Sequence, residues 1–250
     1  MSFEMESLSR LGEFRPEEVK CIGEHKTIEV NGVSILYEEA GEGKPVILVH
    51  GNGDCHQTFY VQIKQLAASG YKVYALDSRG QGANAPLPEY HYADMAEDVY
   101  QFIEQLGLEK PAFFGWSDGG IVFLYLELAH PGTLGPSVIC GANYNGEGID
   151  PAFAAFIKDT IAKSDKPNPL MELMLNEPDL KPEQLETIET PVLVLAGTDD
   201  VIPEQHTKEL AAHLKNSTLL LLDGEDHGSY IQGSKIAGDL LLEFLKINRY

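Results

Sequence analysis

Gly115-Trp116-Ser117-Asp118-Gly119-Gly120 lies between an apolar run, Lys110 to Phe114, and a helical run, Ile121 to His130. It reads as G-x-S-x-G at a strand-to-helix turn, the context that separates a nucleophile elbow from a chance match. A serine in so sharp a turn projects its hydroxyl away from the backbone. Glycines two residues before and after it let strand and helix approach without a Cβ clash. The hexapeptide therefore constrains the fold, because a strand must feed directly into a helix. It also proposes a chemistry, attack by Ser117 on an acyl carbon.

The flanking sequence supplies the sheet that such a turn needs. His25 to Val30 and Val33 to Glu38 alternate around Asn31-Gly32, a hairpin pattern. Pro45 to Val49 is a continuous apolar run, typical of a strand buried on both faces. Further extended stretches at 71–76, 112–114, 137–140, 191–195 and 218–222 alternate with helical ones at 59–69, 92–106, 204–214 and 236–247. The pattern predicts an α/β fold, a mostly parallel eight-stranded sheet flanked by helices, with the opening hairpin antiparallel.

At 250 residues the chain suits a single domain. Residues from about 144 to 189 hold two or three short helical stretches separated by prolines, more than a connection between strands needs. Ligands of open α/β sheets bind beyond the strand ends, so this insertion is expected to be a small cap over the site. Residues 1 to about 24 are polar and irregular and read as a short surface helix.

The formal charge of −21, from 39 acidic and 18 basic residues, argues against nucleic acid or an anionic membrane as partner. It mildly favours cationic or neutral small molecules, although a well-solvated surface is the stronger reading of it. Cys21, Cys55 and Cys140 lie far apart with no C-x-x-C spacing, as in a reducing compartment. The acidic N-terminus lacks the apolar core of a secretory signal. No apolar run approaches the roughly 20 residues of a membrane span. The expectation is a soluble, cytoplasmic protein acting on a small molecule, its oligomeric state left open.

A serine hydroxyl needs a base to take its proton, and the base works best when a carboxylate fixes its tautomer. His227, in Gly224-Glu-Asp-His-Gly-Ser229, follows a late strand and is flanked by small residues. His25, His91, His130, His206 and His213 lie on or beside predicted strands and helices and read as surface or satisfied core residues. The acid should follow the preceding strand, where Asp199 and Asp200 stand side by side. Successive residues leaving a strand point to opposite sides, so only one can face His227. Asp223 and Asp226 would have to fold back onto the imidazole. For the tetrahedral oxyanion, the expected donors are the backbone N–H groups of Asp118 and of Asn52, in the glycine-bearing loop His50-Gly-Asn-Gly53.

Taken together, these motifs resemble the α/β-hydrolase superfamily along nearly the whole chain after residue 25. In that family glycine is followed by the acid three residues on, which favours Asp200. Asp77-Ser-Arg-Gly-Gln-Gly82 looks like the family's D-x-R-G-x-G loop, a structural element. Gly115 to Ile121, with Gly141-Ala142-Asn143 one strand later, is similar to the biphenyl hydrolase-like branch. The resemblance implies that the acidic residue after the nucleophile, Asp118, contacts a substrate α-amino group, with Trp116 and Asp118 as substrate-binding residues. The other reading makes both permitted variants at elbow positions, Asp118 being a carboxylate stabilised by the helix dipole.

The expected function is serine-dependent hydrolysis of small carboxylic esters or related acyl compounds, with no cofactor. Hydrolysis of a C–C bond in a β-diketone-like substrate would use the same triad. Peroxidase activity would be a side reaction of it. Epoxide hydrolysis and dehalogenation are disfavoured, because both normally place an aspartate at the position of Ser117. A non-catalytic binding or receptor protein would usually show a broken triad. Nucleotide binding finds neither G-x-G-x-x-G nor a Walker pattern, and no His/Asp/Glu cluster has metal-ligand spacing along the chain.

Overall fold

Alternate residues of the central strands enter two separate apolar layers, and that period of two places helices on both faces of the sheet. Ile47, Val49, Phe113, Ile139, Val192 and Val194 pack into one layer. Their neighbours Val46, Leu48, Phe114, Val138, Leu193 and Leu195 pack into the other. The computed structural model describes residues 23–166 and 168–250, so the surface helix expected before residue 24 lies outside the described residues.

The strands are β1 (Glu24–Val30), β2 (Val33–Ala40), β3 (Lys44–Val49), β4 (Tyr71–Leu76), β5 (Ala112–Trp116), β6 (Ser137–Cys140), β7 (Val192–Gly197) and β8 (Ser217–Leu222). They form one eight-stranded sheet in the order β1-β2-β4-β3-β5-β6-β7-β8. β1 pairs antiparallel with β2, and β2 antiparallel with β4; the other pairings are parallel. Asn31 and Gly32, at φ 44° and 78°, make the tight hairpin turn between β1 and β2.

Helices α1 (Tyr60–Ala68), α2 (Tyr92–Leu106) and α3 (Asp118–Ala129) follow β3, β4 and β5. α2 and α3 contribute Phe102, Ile103, Val122 and Phe123 to the first layer. The opposite layer is covered by α1 and by the closing helix α8 (Ile236–Ile247), through Ile63, Leu66, Leu241 and Phe244. Between β6 and β7 the chain forms α4 (Pro151–Lys163), α5 (Pro169–Asn176) and α6 (Pro182–Leu185), and α7 (Glu204–His213) follows β7. Each of α4, α5 and α6 begins with proline, where the missing N–H would have had no intrahelical partner. Asp150 and Asn168 cap the first two by accepting from backbone N–H groups. The prolines thus divide the insertion into short pieces. Among the described residues no helix is long and apolar enough to cross a membrane.

The Asp77–Gly82 loop is structural, as the sequence implied. Arg79 forks onto Asp98 of α2, with Nε–H and Nη2–H donating to the two carboxylate oxygens at 2.7 and 2.5 Å. Both side chains are buried. Without Asp98 the buried guanidinium would keep only the half-exposed Asp94, 3.3 Å from Nη1, so Asp98→Ala is expected to lower stability by about 3 kcal/mol in urea unfolding. A loss below about 1 kcal/mol would show that the pair does not hold the loop.

Candidate active site

Every element of the site projects from the carboxyl ends of the parallel strands. Ser117 is the single residue between β5 and α3, at φ 53° and ψ −114°. A non-glycine residue pays of order 1–3 kcal/mol for such a backbone, so neighbouring contacts must hold it there. Its N–H donates to the Cys140 carbonyl at 2.7 Å, and its own carbonyl accepts from Gly120 at 2.8 Å. The close approach is steric as well. A Cβ on Gly115 would fall 2.3 Å from the Gly119 carbonyl oxygen, and one on Gly119 would fall 2.0 Å from that of Val49.

Ser117 Oγ lies 3.0 Å from His227 Nε2, and His227 Nδ1–H donates to Asp200 Oδ1 at 2.6 Å. Asp200 follows β7 and also accepts from the Ile202 N–H at 2.9 Å. Asp199, its exposed neighbour, is turned away, and its N–H donates to the Glu225 carbonyl. Asp226 accepts the N–H groups of Gly228 and Ser229 and shapes the loop that carries His227. Trp116 fastens the same loop, its indole Nε1–H donating to the His227 carbonyl at 2.8 Å. Burial pushes the His227 imidazole down, but Asp200, Asp226 and Asp118 more than offset it and hold the pKa above the ordinary 6.5.

The loop after β3 faces the serine. His50 is buried; its Nδ1–H donates to the Gly51 carbonyl at 2.7 Å, and its Nε2 accepts from the Ser78 N–H. Gln81, of the structural loop, accepts from the Gly53 N–H at 2.7 Å. These bonds fix the backbone around Asn52. The Asn52 side chain donates to Asp118 Oδ2 at 3.0 Å and to the Leu170 carbonyl of α5 at 3.1 Å. Asp118 also accepts from the Tyr92 hydroxyl at 2.8 Å. Burial raises the Asp118 carboxyl to about 6, against the opposing donation by Tyr92 and Asn52.

A cleft with a volume of about 100 Å³ opens at Ser117, His227, Asn52, Asp118 and Trp116. Ile149, Phe153, Met174 and Glu177 of the 144–189 insertion line its far side. Glu177 reaches α2, accepting from His91 Nδ1 at 2.6 Å and the Tyr92 N–H at 3.0 Å.

Sequence reasoning missed several contributors. Tyr92 and Glu177 carry no local signal; only the fold brings them to Asp118 and the cleft. Gly141, at φ 56°, is needed because its Cβ would lie 2.9 Å from His227 Cε1 and Nδ1. His206 is buried, stacks on Tyr144 and accepts from its N–H. Burial lowers His206 to about 4, consistent with a satisfied core residue. Cys55 is no nucleophile, since burial and the nearby Asp77 and Asp54 push its thiol up to about 12. The absence of metal-ligand spacing along the chain proves a poor guide to three dimensions: His25, Glu38 and His56 meet with ligand atoms within 4.8 Å of one another.

A family model described as alpha/beta hydrolase fold matches residues 44–167, and a second, described as TAP-like protein, matches residues 175–248. The chain belongs to the α/β-hydrolase superfamily and is an enzyme of the hydrolase class. It is similar to serine hydrolase BPHL of Homo sapiens, at 26% identity over 88% of this chain and 85% of that protein. It is also similar to a non-heme chloroperoxidase of Kitasatospora aureofaciens, at 27% identity over 86% of this chain and 97% of that one. Among solved structures, the meta-cleavage product hydrolase of Pseudomonas fluorescens IP01 matches with a TM-score of 0.75 at 19% identity, covering 89% of this chain and 97% of that chain. That last likeness is one of fold.

Gly141→Ala is expected to displace His227 and lower kcat on an activated ester by about 10²-fold or more, with KM less affected. Unchanged kcat would mean that the imidazole tolerates the added methyl group.

Proposed function

We propose that the enzyme hydrolyses small carboxylic esters or related acyl compounds through an acyl-enzyme, with Ser117, His227 and Asp200 as catalytic residues. The hydrogen-bonded chain from Asp200 through His227 to Ser117 carries this reading. Ser117 Oγ attacks the acyl carbon as its proton passes to His227 Nε2. Asp200 remains ionised and stabilises the imidazolium. The developing oxyanion accepts from the backbone N–H groups of Asn52 and Asp118, each donor being worth about 10²–10³ in rate. The imidazolium then protonates the leaving alcohol. Water, losing its proton to His227, attacks the acyl-enzyme; the carboxylic acid departs as Ser117 recovers its proton. The route requires no metal or organic cofactor. A cleft of about 100 Å³, with Ile149, Phe153 and Met174 beside Glu177 on its far side, favours a short acyl chain.

One observation favours an amino-ester substrate within this class: two carboxylates, Asp118 and Glu177, line the cleft. An ammonium group placed between them would be desolvated but compensated. On this reading Asp118 and Trp116 are substrate contacts, and Asp118 also anchors Asn52.

Ser117→Ala and His227→Ala are each expected to lower kcat on activated short-chain esters by at least about 10³-fold while melting temperature stays near wild type. Asp200→Asn should cost far more than Asp199→Asn; the reverse would reassign the acid. The base must be neutral to act, so kcat/KM should fall as pH drops through a His227 pKa above 6.5. Asp118→Asn removes a charge that raises that pKa, so the acid limb should move to lower pH. For the amino-ester reading, the preference for an amino-acid ester over its des-amino analogue should collapse in Asp118→Ala. An unchanged preference would remove the ammonium-binding role.

A further inference from the structure

His25, Glu38 and His56 come together away from the catalytic serine, on the hairpin side of the sheet. His25 on β1 stands directly opposite Glu38 on β2 in the antiparallel register. His56 follows the loop that carries Asn52 and begins the single turn at His56–Phe59 ahead of α1. His56 Nε2 is 3.7 Å from Glu38 Oε2, and His25 Nε2 is 3.8 Å from the same oxygen. The two imidazole rings meet edge to face at 5.0 Å.

Three observations distinguish this group from an ordinary polar cluster. His56 is 1% exposed, yet among the described residues its Nε2 has no hydrogen-bond partner. A buried nitrogen left unsatisfied loses its hydration with nothing in return, so its persistence calls for an occupant. Secondly, His56 Nδ1–H donates to Asp77 Oδ1 at 2.6 Å, which turns the Nε2 lone pair toward the Glu38 carboxylate. A carboxylate holding the far nitrogen is the usual second contact of a metal-bound histidine, fixing tautomer and ring orientation. Thirdly, the gaps of 3.7 and 3.8 Å are too long for hydrogen bonds but close to the span of two ligands on one ion. Zinc–nitrogen and zinc–oxygen bonds of about 2.0–2.2 Å at tetrahedral angles separate ligand atoms by about 3.4 Å. A contraction of a few tenths of an ångström would bring each imidazole to that distance from Glu38, and His25, at the exposed rim, has room to move toward His56.

We propose that His25 Nε2, His56 Nε2 and Glu38 Oε2 bind one divalent transition-metal ion, zinc by the character of the donor set, with a fourth position open to solvent. Two imidazoles and a carboxylate suit zinc; all-oxygen sites suit magnesium and calcium. The ion ties the β1–β2 hairpin to the segment leaving the oxyanion loop. It serves structure, and the acyl chemistry at Ser117 does not pass through it.

The test is calorimetric titration of the chelator-treated, desalted full-length protein with zinc chloride, alongside visible absorption of the cobalt(II)-loaded protein. The expected result is one zinc per chain, a cobalt spectrum of nitrogen and oxygen ligation, and no competition from magnesium. His25→Ala removes a rim ligand without disturbing the core and should weaken zinc binding by about 100-fold, as should Glu38→Gln. His91→Ala and His227→Ala should leave it unchanged. At free zinc about a hundredfold above the dissociation constant, melting temperature should rise by about 5 °C or more in wild type but not in His25→Ala. Absence of stoichiometric binding would overturn the assignment. So would full binding by His25→Ala, or loss of binding in His91→Ala or His227→Ala.

Discussion

The structure depends on the close approach of β5 and α3 at Ser117. A residue at φ 53° is unfavourable by itself and persists because the surroundings leave no alternative. The Cys140 carbonyl fixes its N–H, and the missing side chains of Gly115 and Gly119 admit the helix against the strand and against the Val49 carbonyl. Those two strands carry consequences in turn. β3 runs on into the loop that carries Asn52, and β6 ends at Cys140, followed by Gly141 beneath the His227 ring. One steric arrangement therefore sets the positions of Ser117, His227 and the Asn52 loop relative to one another.

Around that arrangement the buried polar groups form a connected set. Asp118 is buried at the first residue of α3, where the helix dipole favours its charge. It draws in the Tyr92 hydroxyl from α2 and the Asn52 amide from the oxyanion loop, and Asn52 in turn reaches the Leu170 carbonyl of the insertion. The Asp118 side chain thus couples α3, the loop that carries Asn52 and the 144–189 insertion. Its carboxylate also adds to the field that keeps the His227 pKa high. Any substrate group that engages Asp118 acts on all of these at once.

The elements legible in the sequence were those written locally. β4, α2, β6 and α8 fall where the apolar periodicity placed them, because each buries a face that repeats in the sequence. Ser117 and His227 were readable for the same reason, one within a motif and one after a strand. For Asp199 and Asp200 the residues themselves left the choice open, since strand alternation makes direction a property of the finished sheet, and only the glycine spacing of the family resemblance favoured Asp200. Tyr92, Glu177 and the grouping of His25, Glu38 and His56 carried no signal along the chain. Each arises from pairing between distant segments, such as the β1–β2 register that sets His25 opposite Glu38.

Activation of Ser117 as a nucleophile by His227 and Asp200 can be read out by covalent capture. Intact-protein mass spectrometry after exposure to a fluorophosphonate ester tests it most directly, since the reagent phosphonylates an activated serine and remains attached. A single adduct is expected, mapped by peptide fragmentation to Ser117 and forming at least about 10²-fold more slowly in His227→Ala. An adduct on another residue, or none on a folded protein, would contradict it.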